Sequence, residues 1–264
     1  MTIDTIITDL DDTLFNEKVK ISDYTMGVMQ ECLRRGIRVI PASGRAQASM
    51  EPFVRSLNTG LPYIACNGAQ LVNPDHTLLD SLTLDVDTTR DICRFFIDRN
   101  EYVQVYRDRM LYYAEECAES QLYKNHTIME GQAVGDLMAF LTFETPKVLC
   151  VAAPERIAEM YPIARAQFAG RAILEVSKPF YLEATPLEAD KGKAIERLAK
   201  HMTIVPERTF VFGDSLNDVS MYSFTENSVA MGNGREEAKK AARFVCGSNL
   251  EDGMARFVQE HILQ

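Results

Sequence analysis

The sequence predicts an α/β protein: a doubly wound parallel sheet interrupted by an inserted α+β domain. Three observations predict it. Short apolar, β-branched runs alternate with helical segments over the first third of the 264-residue chain. Near Leu84 that alternation gives way to a pattern of hairpins and helices. After Thr185-Pro186 the simple alternation returns. The chain therefore leaves its first domain, builds an insert and comes back. The boundaries read as core 1–83, insert 84–183 and core 184–264.

The elements follow in order. Thr5 to Thr8 is a short buried strand. Ser22 caps a helix that ends at Gly36, and Ile37 to Ala42 is the next strand. Ala46 to Leu57 reads as helix and Tyr63 to Cys66 as a third strand, which makes parallel strand–helix–strand units. Asn73-Pro74-Asp75 turns the chain between two short strands. In the insert, Asp87 to Arg99 is helical, and Tyr102 to Tyr106 and Met110 to Tyr113 form a hairpin around Arg107-Asp108-Arg109. Lys147 to Ala152 is a strand, Pro154 to Phe168 a helix and Ala172 to Val176 a strand. Lys191 to His201, Thr209 to Phe212 and Asp218 to Phe224 then restore helix, strand and helix.

Composition narrows the function classes. Lys and Arg number 28 against 38 Asp and Glu, a net charge of −10. So acidic a chain repels a nucleic-acid backbone, but a small phosphorylated ligand is compatible where a local cation reverses the field. The longest apolar runs, such as Val148 to Ala153, fall far short of the roughly 18 residues of a membrane-crossing helix. Met1 to Asp12 carries four aspartates and no basic residue, unlike a secretory leader. The six cysteines form no CxxC pair and read as reduced thiols of a cytoplasmic protein. None of the four histidines has the spacing of a metal ligand. The tyrosines at 102, 106, 112 and 113 suit either the core of the inserted sheet or a substrate surface.

Four short segments carry candidate chemistry, each at a strand end or a helix start. In open α/β sheets, ligands gather at the carboxyl ends of strands. Asp9-Leu10-Asp11-Asp12-Thr13 follows the first strand. Carboxylates crowded there repel each other by about 4 kcal/mol at 4 Å and an effective dielectric of 20, so they call for a cation. Gly213-Asp214-Ser215-Leu216-Asn217-Asp218 follows another apolar strand. If a helix starts there, Asp214 and Asp218 face one side near its N-terminus. Ser43-Gly44-Arg45 offers a hydroxyl and an open backbone N–H suited to a phosphate oxygen. Lys191 opens a helix at the unfavourable end of its dipole, which implies another partner. Taken singly, the first three segments read more simply as turns or helix caps, and a lone lysine at a helix start is usually solvated.

In combination, DxDxT, then Ser-Gly-Arg, then Lys, then GDSxND along one acidic chain resembles the haloacid dehalogenase superfamily of phosphatases, and within it the Cof-like subgroup with a large α/β cap. Asn67-Gly68-Ala69, Met221, Ala230-Met231-Gly232-Asn233 and Glu251-Asp252-Gly253 support the resemblance, which covers nearly the whole chain. It implies a Rossmann-like core, with Asp9 as nucleophile forming an aspartyl phosphate and Asp11 as general acid and base. It implies Mg²⁺ held by Asp9, the Asp11 carbonyl and Asp214, with Asp218 behind them holding its waters. Ser43, Gly44, Lys191 and Asn217 would bind the phosphoryl group, and Lys191 would keep Asp9 ionised at neutral pH. The cap would close over the site and choose the leaving group. Two positions depart from the commonest pattern: Asp12 stands where Gly is frequent, and Ser43 where Thr is.

The expected activity is Mg²⁺-dependent hydrolysis of small phosphomonoesters such as sugar phosphates, by a monomer or homodimer with no nucleic-acid or membrane partner. Two alternatives remain open. A phosphomutase would return the phosphoryl group to its substrate, and a non-catalytic sensor would only bind a phosphometabolite. The intact set of Asp9, Asp11, Lys191 and Asp214 speaks against the sensor.

Overall fold

The computed structural model describes residues 2–264. Its contacts divide the chain into two units, one comprising Met1–Ser43, Met50–Leu79 and Asp190–Gln264, the other Gly44–Ser49 and Asp80–Ala189. The sequence placed the two junctions at 83/84 and 183/184. By contacts they lie at 79/80 and 189/190, and the short Gly44–Ser49 segment groups with the insert.

The first unit is built on a five-stranded parallel sheet. Its order is Phe244–Val245, Ser228–Ala230, Thr209–Gly213, Thr5–Thr8, Arg38–Pro41. Thr5–Thr8 lies between its neighbours in register, with Thr8 opposite both Phe212 and Pro41. Successive side chains of a strand point to opposite faces. Ile6 accordingly joins a core with Met29, Val39, Phe212 and Phe257, while Ile7 joins a second core with Ile40, Ala194, Ile195 and Met221. Two apolar faces on one strand require helices on both sides, which is the doubly wound arrangement. The Asp23–Arg34 helix shows how local sequence sets one of them. The Ser22 hydroxyl accepts the Thr25 N–H, and the buried Thr25, Val28, Met29 and Cys32 recur at helical spacing.

The third expected strand departs from the reading. Tyr63–Ala65 touches the parallel sheet only through a bridge from Ile64 to Ala42. It pairs instead with Gln70–Val72 in a separate three-stranded sheet completed by Leu78–Ser81. The reason is local: Cys66 and Asn67 both adopt positive φ, which turns the chain straight back on itself. The Asn73-Pro74-Asp75 turn lies between the two following strands as expected.

The second unit holds a six-stranded sheet: Ile173–Lys178, Tyr181–Thr185, Val148–Val151, Tyr102–Arg107, Met110–Tyr113, Gly131–Ala133. All neighbours are antiparallel except the last pair. The hairpin turns through Asp108 and Arg109, both at positive φ, the backbone that matches the natural strand twist. One face of the sheet carries Val103, Val105, Cys150 and Leu182. They pack with Ile92 and Phe96 of the Val86–Ile97 helix and Met160 of the Pro154–Gln167 helix. The opposite face is polar yet buried. Gln104 donates to the Tyr106 hydroxyl, and Tyr106 donates to Tyr123 of the Ala118–Thr127 helix. Tyr106 and Tyr113 are therefore part of the interior of this sheet. Among the described residues, no helix is long and apolar enough to cross a membrane.

Candidate active site

Asp9, Ser43 and Asp214 each stand just past the carboxyl end of a strand, and the three strands are adjacent. The Asp9 N–H donates to the Phe212 carbonyl, continuing the ladder one residue beyond the Thr5–Thr8 strand. The chain then coils tightly, with the Leu14 and Phe15 N–H groups both donating to the Leu10 carbonyl. Asp12 takes φ +60° in this coil. Glycine is the natural residue at that backbone angle, and Asp is among the few others that tolerate it. The exposed Asp12 side chain needs no room inside, and its carbonyl accepts from Asn233.

The Asp214 loop is organised by Asp218. One Asp218 oxygen accepts the backbone N–H groups of Asp214 and Ser215 at 2.9 and 3.0 Å. The sequence placed Asp214 and Asp218 together at a helix N-terminus. Instead, Asp214 precedes the short helical turn Leu216–Asp218, and Asp218 reaches back to hold the loop. Gly213 makes this possible, because a Cβ there would sit 2.4 Å from the Asp218 Cβ.

Lys191 opens the Lys191–Leu198 helix, whose N-cap Asp190 accepts the Lys193 N–H. Its side chain is fully buried, and Nζ lies 2.6 Å from both Asp9 Oδ1 and Asp218 Oδ1. This is the partner that its unfavourable position on the helix dipole implied. Burial alone would drive its proton off, but Asp218 and Asp9 more than compensate and raise its pKa. Asp9, Asp214 and Asp218 each offer an oxygen within 4.8 Å of the others. Half-buried Asp11 adds to the negative field at Asp9.

One lysine does not neutralise this group. Burial raises the Asp9 carboxyl well above the ordinary range. Lys191 pulls it down, and Asp218, Asp214 and Asp11 push it up again. Lys191 was expected to keep Asp9 ionised, but its charge is shared with Asp218. Asp214 is pushed up to about 7 by burial, then by Asp218 and Asp12, with Lys191 and a 3.2 Å bond from the Thr13 hydroxyl acting against them. A pocket of hard oxygen donors with surplus negative charge fits a small divalent cation such as Mg²⁺. Both Asp218 oxygens already accept hydrogen bonds, so Asp9 and Asp214 are the better placed ligands.

Ser43 is 1% exposed, and its N–H and carbonyl bond to Ile64 and Asn67. Asn67 in turn accepts from the Asn217 side chain at 2.8 Å. Buried Asn67 thus ties the Ser43 loop to the Asp214 loop. Sequence reasoning noted it only as a supporting residue. The available signal was an Asn-Gly pair directly after an apolar strand, a combination suited to positive φ. Thr13, which steadies Asp214, was likewise quoted without a role. A separate cavity of about 660 Å³, lined by Phe244, Cys246, Arg256, Phe257 and His261 among others, contains none of these groups.

Comparison with known proteins places the chain in a family. The haloacid dehalogenase-like hydrolase model matches residues 6–258. Phosphatase YwpJ of Bacillus subtilis is 28% identical over 98% of this chain and 99% of its own. A second B. subtilis protein, 5-amino-6-(5-phospho-D-ribitylamino)uracil phosphatase YitU, is 28% identical over 97% and 96%. The crystal structure of TM0651 from Thermotoga maritima superimposes with a TM-score of 0.87 at 29% identity, covering 98% of this chain and 97% of that one. The chain belongs to the haloacid dehalogenase-like hydrolase family, in its Cof-like subgroup. It is an enzyme, a phosphoric monoester hydrolase.

Proposed function

We propose that the chain hydrolyses small phosphomonoesters, sugar phosphates or similar metabolites, with Mg²⁺ and through an aspartyl phosphate on Asp9. One observation carries this reading: buried Lys191 grips Asp9 and Asp218 at 2.6 Å beside Asp214. Those four residues come from three distant parts of the sequence. No structural need of the sheet calls for such an unbalanced cluster, whereas phosphoryl transfer does.

Asp9, Asp214 and the Asp11 carbonyl would hold the metal, with Asp218 behind them. When bound, Mg²⁺ offsets the surplus negative charge and polarises the phosphoryl oxygens. Lys191 orients Asp9. An Asp9 oxygen attacks phosphorus and the ester oxygen departs, taking a proton from Asp11. Asp11 then removes a proton from water, whose oxygen attacks phosphorus and frees Asp9 and inorganic phosphate. Ser43, the Gly44 N–H, Asn217 and Lys191 bind the phosphoryl oxygens. Asn67 positions Asn217. The insert, 84–183, serves as the cap that selects the leaving group. The name of the YitU relative, an ester of a sugar alcohol attached to a pyrimidine, supports a sugar-phosphate-like substrate. The cysteines, all free thiols in the structure, suit action in a reducing cytoplasm.

The test is phosphate release from p-nitrophenyl phosphate and a panel of phosphorylated metabolites. Asp9→Asn is expected to abolish steady-state turnover while circular dichroism stays parental. Turnover retained in a folded Asp9→Asn protein removes the nucleophile assignment.

A further inference from the structure

We propose that Asn233 is a positioning residue: it holds the Asp12–Thr13 peptide, and through it the Asp11 carbonyl, at a fixed spacing from Asp214. The proposal rests on the phosphatase reading only for which groups hold the metal. Asn233 ends the run Ala230-Met231-Gly232-Asn233, which leaves the Ser228–Ala230 strand and takes no part in the proposed chemistry. It is exposed, so core packing does not account for it. Its amide works in both directions. Nδ2 donates to the Asp12 carbonyl at 2.8 Å, and Oδ1 accepts the Asn249 N–H at 2.9 Å. A backbone carbonyl only accepts and a backbone N–H only donates, so the partners fix the orientation of the amide, and an ionised aspartate could not make both bonds. The side chain of Asn249, itself buried, donates to the Phe15 carbonyl at 2.9 Å.

The same stretch of chain is tied to the Asp214 loop. The Met231 N–H donates to the Gly213 carbonyl at 2.9 Å, and the Arg235 N–H to the Asp214 carbonyl at 2.8 Å. Gly234 permits this approach, because a Cβ there would lie 2.8 Å from the Asp214 carbonyl oxygen. Residues 231–235 therefore span from the Asp12 peptide to the Asp214 backbone. The coil has other supports, among them its own bonds to the Leu10 carbonyl and the Thr13 hydroxyl on Asp214, and Asn233 acts in addition to them. Its contribution is local. Only the two torsions of Asp12 separate the Asp12–Thr13 peptide from the peptide that carries the Asp11 carbonyl. One of the two is φ +60°, a left-handed value that a non-glycine residue keeps where its surroundings hold it. Mg²⁺ demands near-ideal octahedral geometry, so a displaced carbonyl ligand weakens its binding.

The test uses the full chain with Asn233→Ala and Asn233→Asp. Calorimetric titration of the metal-free protein with Mg²⁺ is expected to give a Kd roughly fivefold higher for Asn233→Ala, the scale of one hydrogen bond's net contribution. A parental Kd in that variant overturns the metal-spacing role. Hydrogen exchange over residues 10–16, read by mass spectrometry in EDTA, is expected to quicken roughly fivefold, with the Thr5–Thr8 and Thr209–Gly213 strands unchanged. Faster exchange in those strands as well marks a merely structural residue and overturns the proposal. Asn233→Asp separates the two bonds: its carboxylate still accepts the Asn249 N–H but has no proton for the Asp12 carbonyl. It should exchange like Asn233→Ala, and parental exchange in it overturns the role given to the Asp12 bond. In turnover, the Mg²⁺ concentration for half-maximal rate should rise by the same factor as Kd. Failure of the phosphatase reading shows separately, in the unmodified protein, as Mg²⁺ that does not bind or turnover that does not need Asp9.

Discussion

Among the described residues, the two units each bury one lysine almost completely, and the two lysines meet their carboxylates differently. Lys147 pairs with Glu183 at 3.0 Å. Lys191 faces Asp9 and Asp218, with Asp214 close behind, so negative charge is in surplus. A surplus needs something from outside: a metal cation, a proton, or a reaction that consumes the negative charge. Both lysines are 1% exposed, so burial by itself does not mark the reaction centre, whereas the carboxylates gathered around Lys191 do.

The comparison can be broken most severely at Lys191. Lys191→Ala, assayed with saturating Mg²⁺, is expected to lower kcat by about three orders of magnitude or more, because electrostatic stabilisation is lost where charge develops. The loss in thermal stability should be small beside it, since the stranded carboxylates can take up protons. A folded variant with near-parental kcat would place the reaction centre elsewhere. Removal of divalent ions with EDTA is expected to silence the enzyme and Mg²⁺ to restore it. Activity that persists after exhaustive chelation contradicts the surplus-charge reading.

A smaller effect sharpens the comparison through pH. Without a metal, the Asp214 carboxyl is pushed up to about 7, first by burial and then by Asp218 and Asp12. Its unfolded value is near 3.9, so between about pH 4 and pH 7 the folded state binds more protons than the unfolded one. Stability contributed by this group therefore falls as pH rises through that window. Asp214→Asn in EDTA should be more stable than the parent at pH 8 by about 1–3 kcal/mol and similar to it near pH 4, at the expense of activity. Chemical denaturation at the two pH values checks this, and an equal or lower stability at pH 8 shows that the cluster is not frustrated.

The smallest effect comes from an exposed charge in the second unit. Asp85 caps the Val86–Ile97 helix, and the Thr88 N–H and hydroxyl, at 2.7 and 2.8 Å, hold its carboxyl below the usual range. A lowered folded pKa gives stability that is present above the unfolded value and lost as pH falls through the folded one. Asp85→Ala is expected to cost about 1 kcal/mol at neutral pH, with most of the difference gone in strong acid. Turnover should not change.

Much of the fold was legible because it is dictated by local pattern. Thr5–Thr8 was read to the residue, and so was the start of the Pro154–Gln167 helix, where proline takes the first turn. Other elements left weak traces. Tyr181–Thr185 carries a glutamate yet is wholly buried, with Lys147, just ahead of the neighbouring strand, 3.0 Å from its carboxylate. Phe244–Val245 is two residues long, too short for any alternation to show. The Tyr63–Ala65 strand looked like its neighbours, but two positive-φ residues beyond it redirected its pairing.

The candidate site divides the same way. Residue type and spacing alone marked Asp9, Ser43, Lys191 and Asp214, since each falls at the end of a recognisable strand or the start of a helix, and those are local facts. Only the tertiary structure could decide who neutralises whom. Lys191 is shared between two carboxylates, Asp218 turns back to clamp its own loop, and Asn67 accepts from Asn217, 150 positions away. Those pairings depend on distances between chain segments remote in sequence, and Coulomb and hydrogen-bond energies act on distance in space, not along the chain.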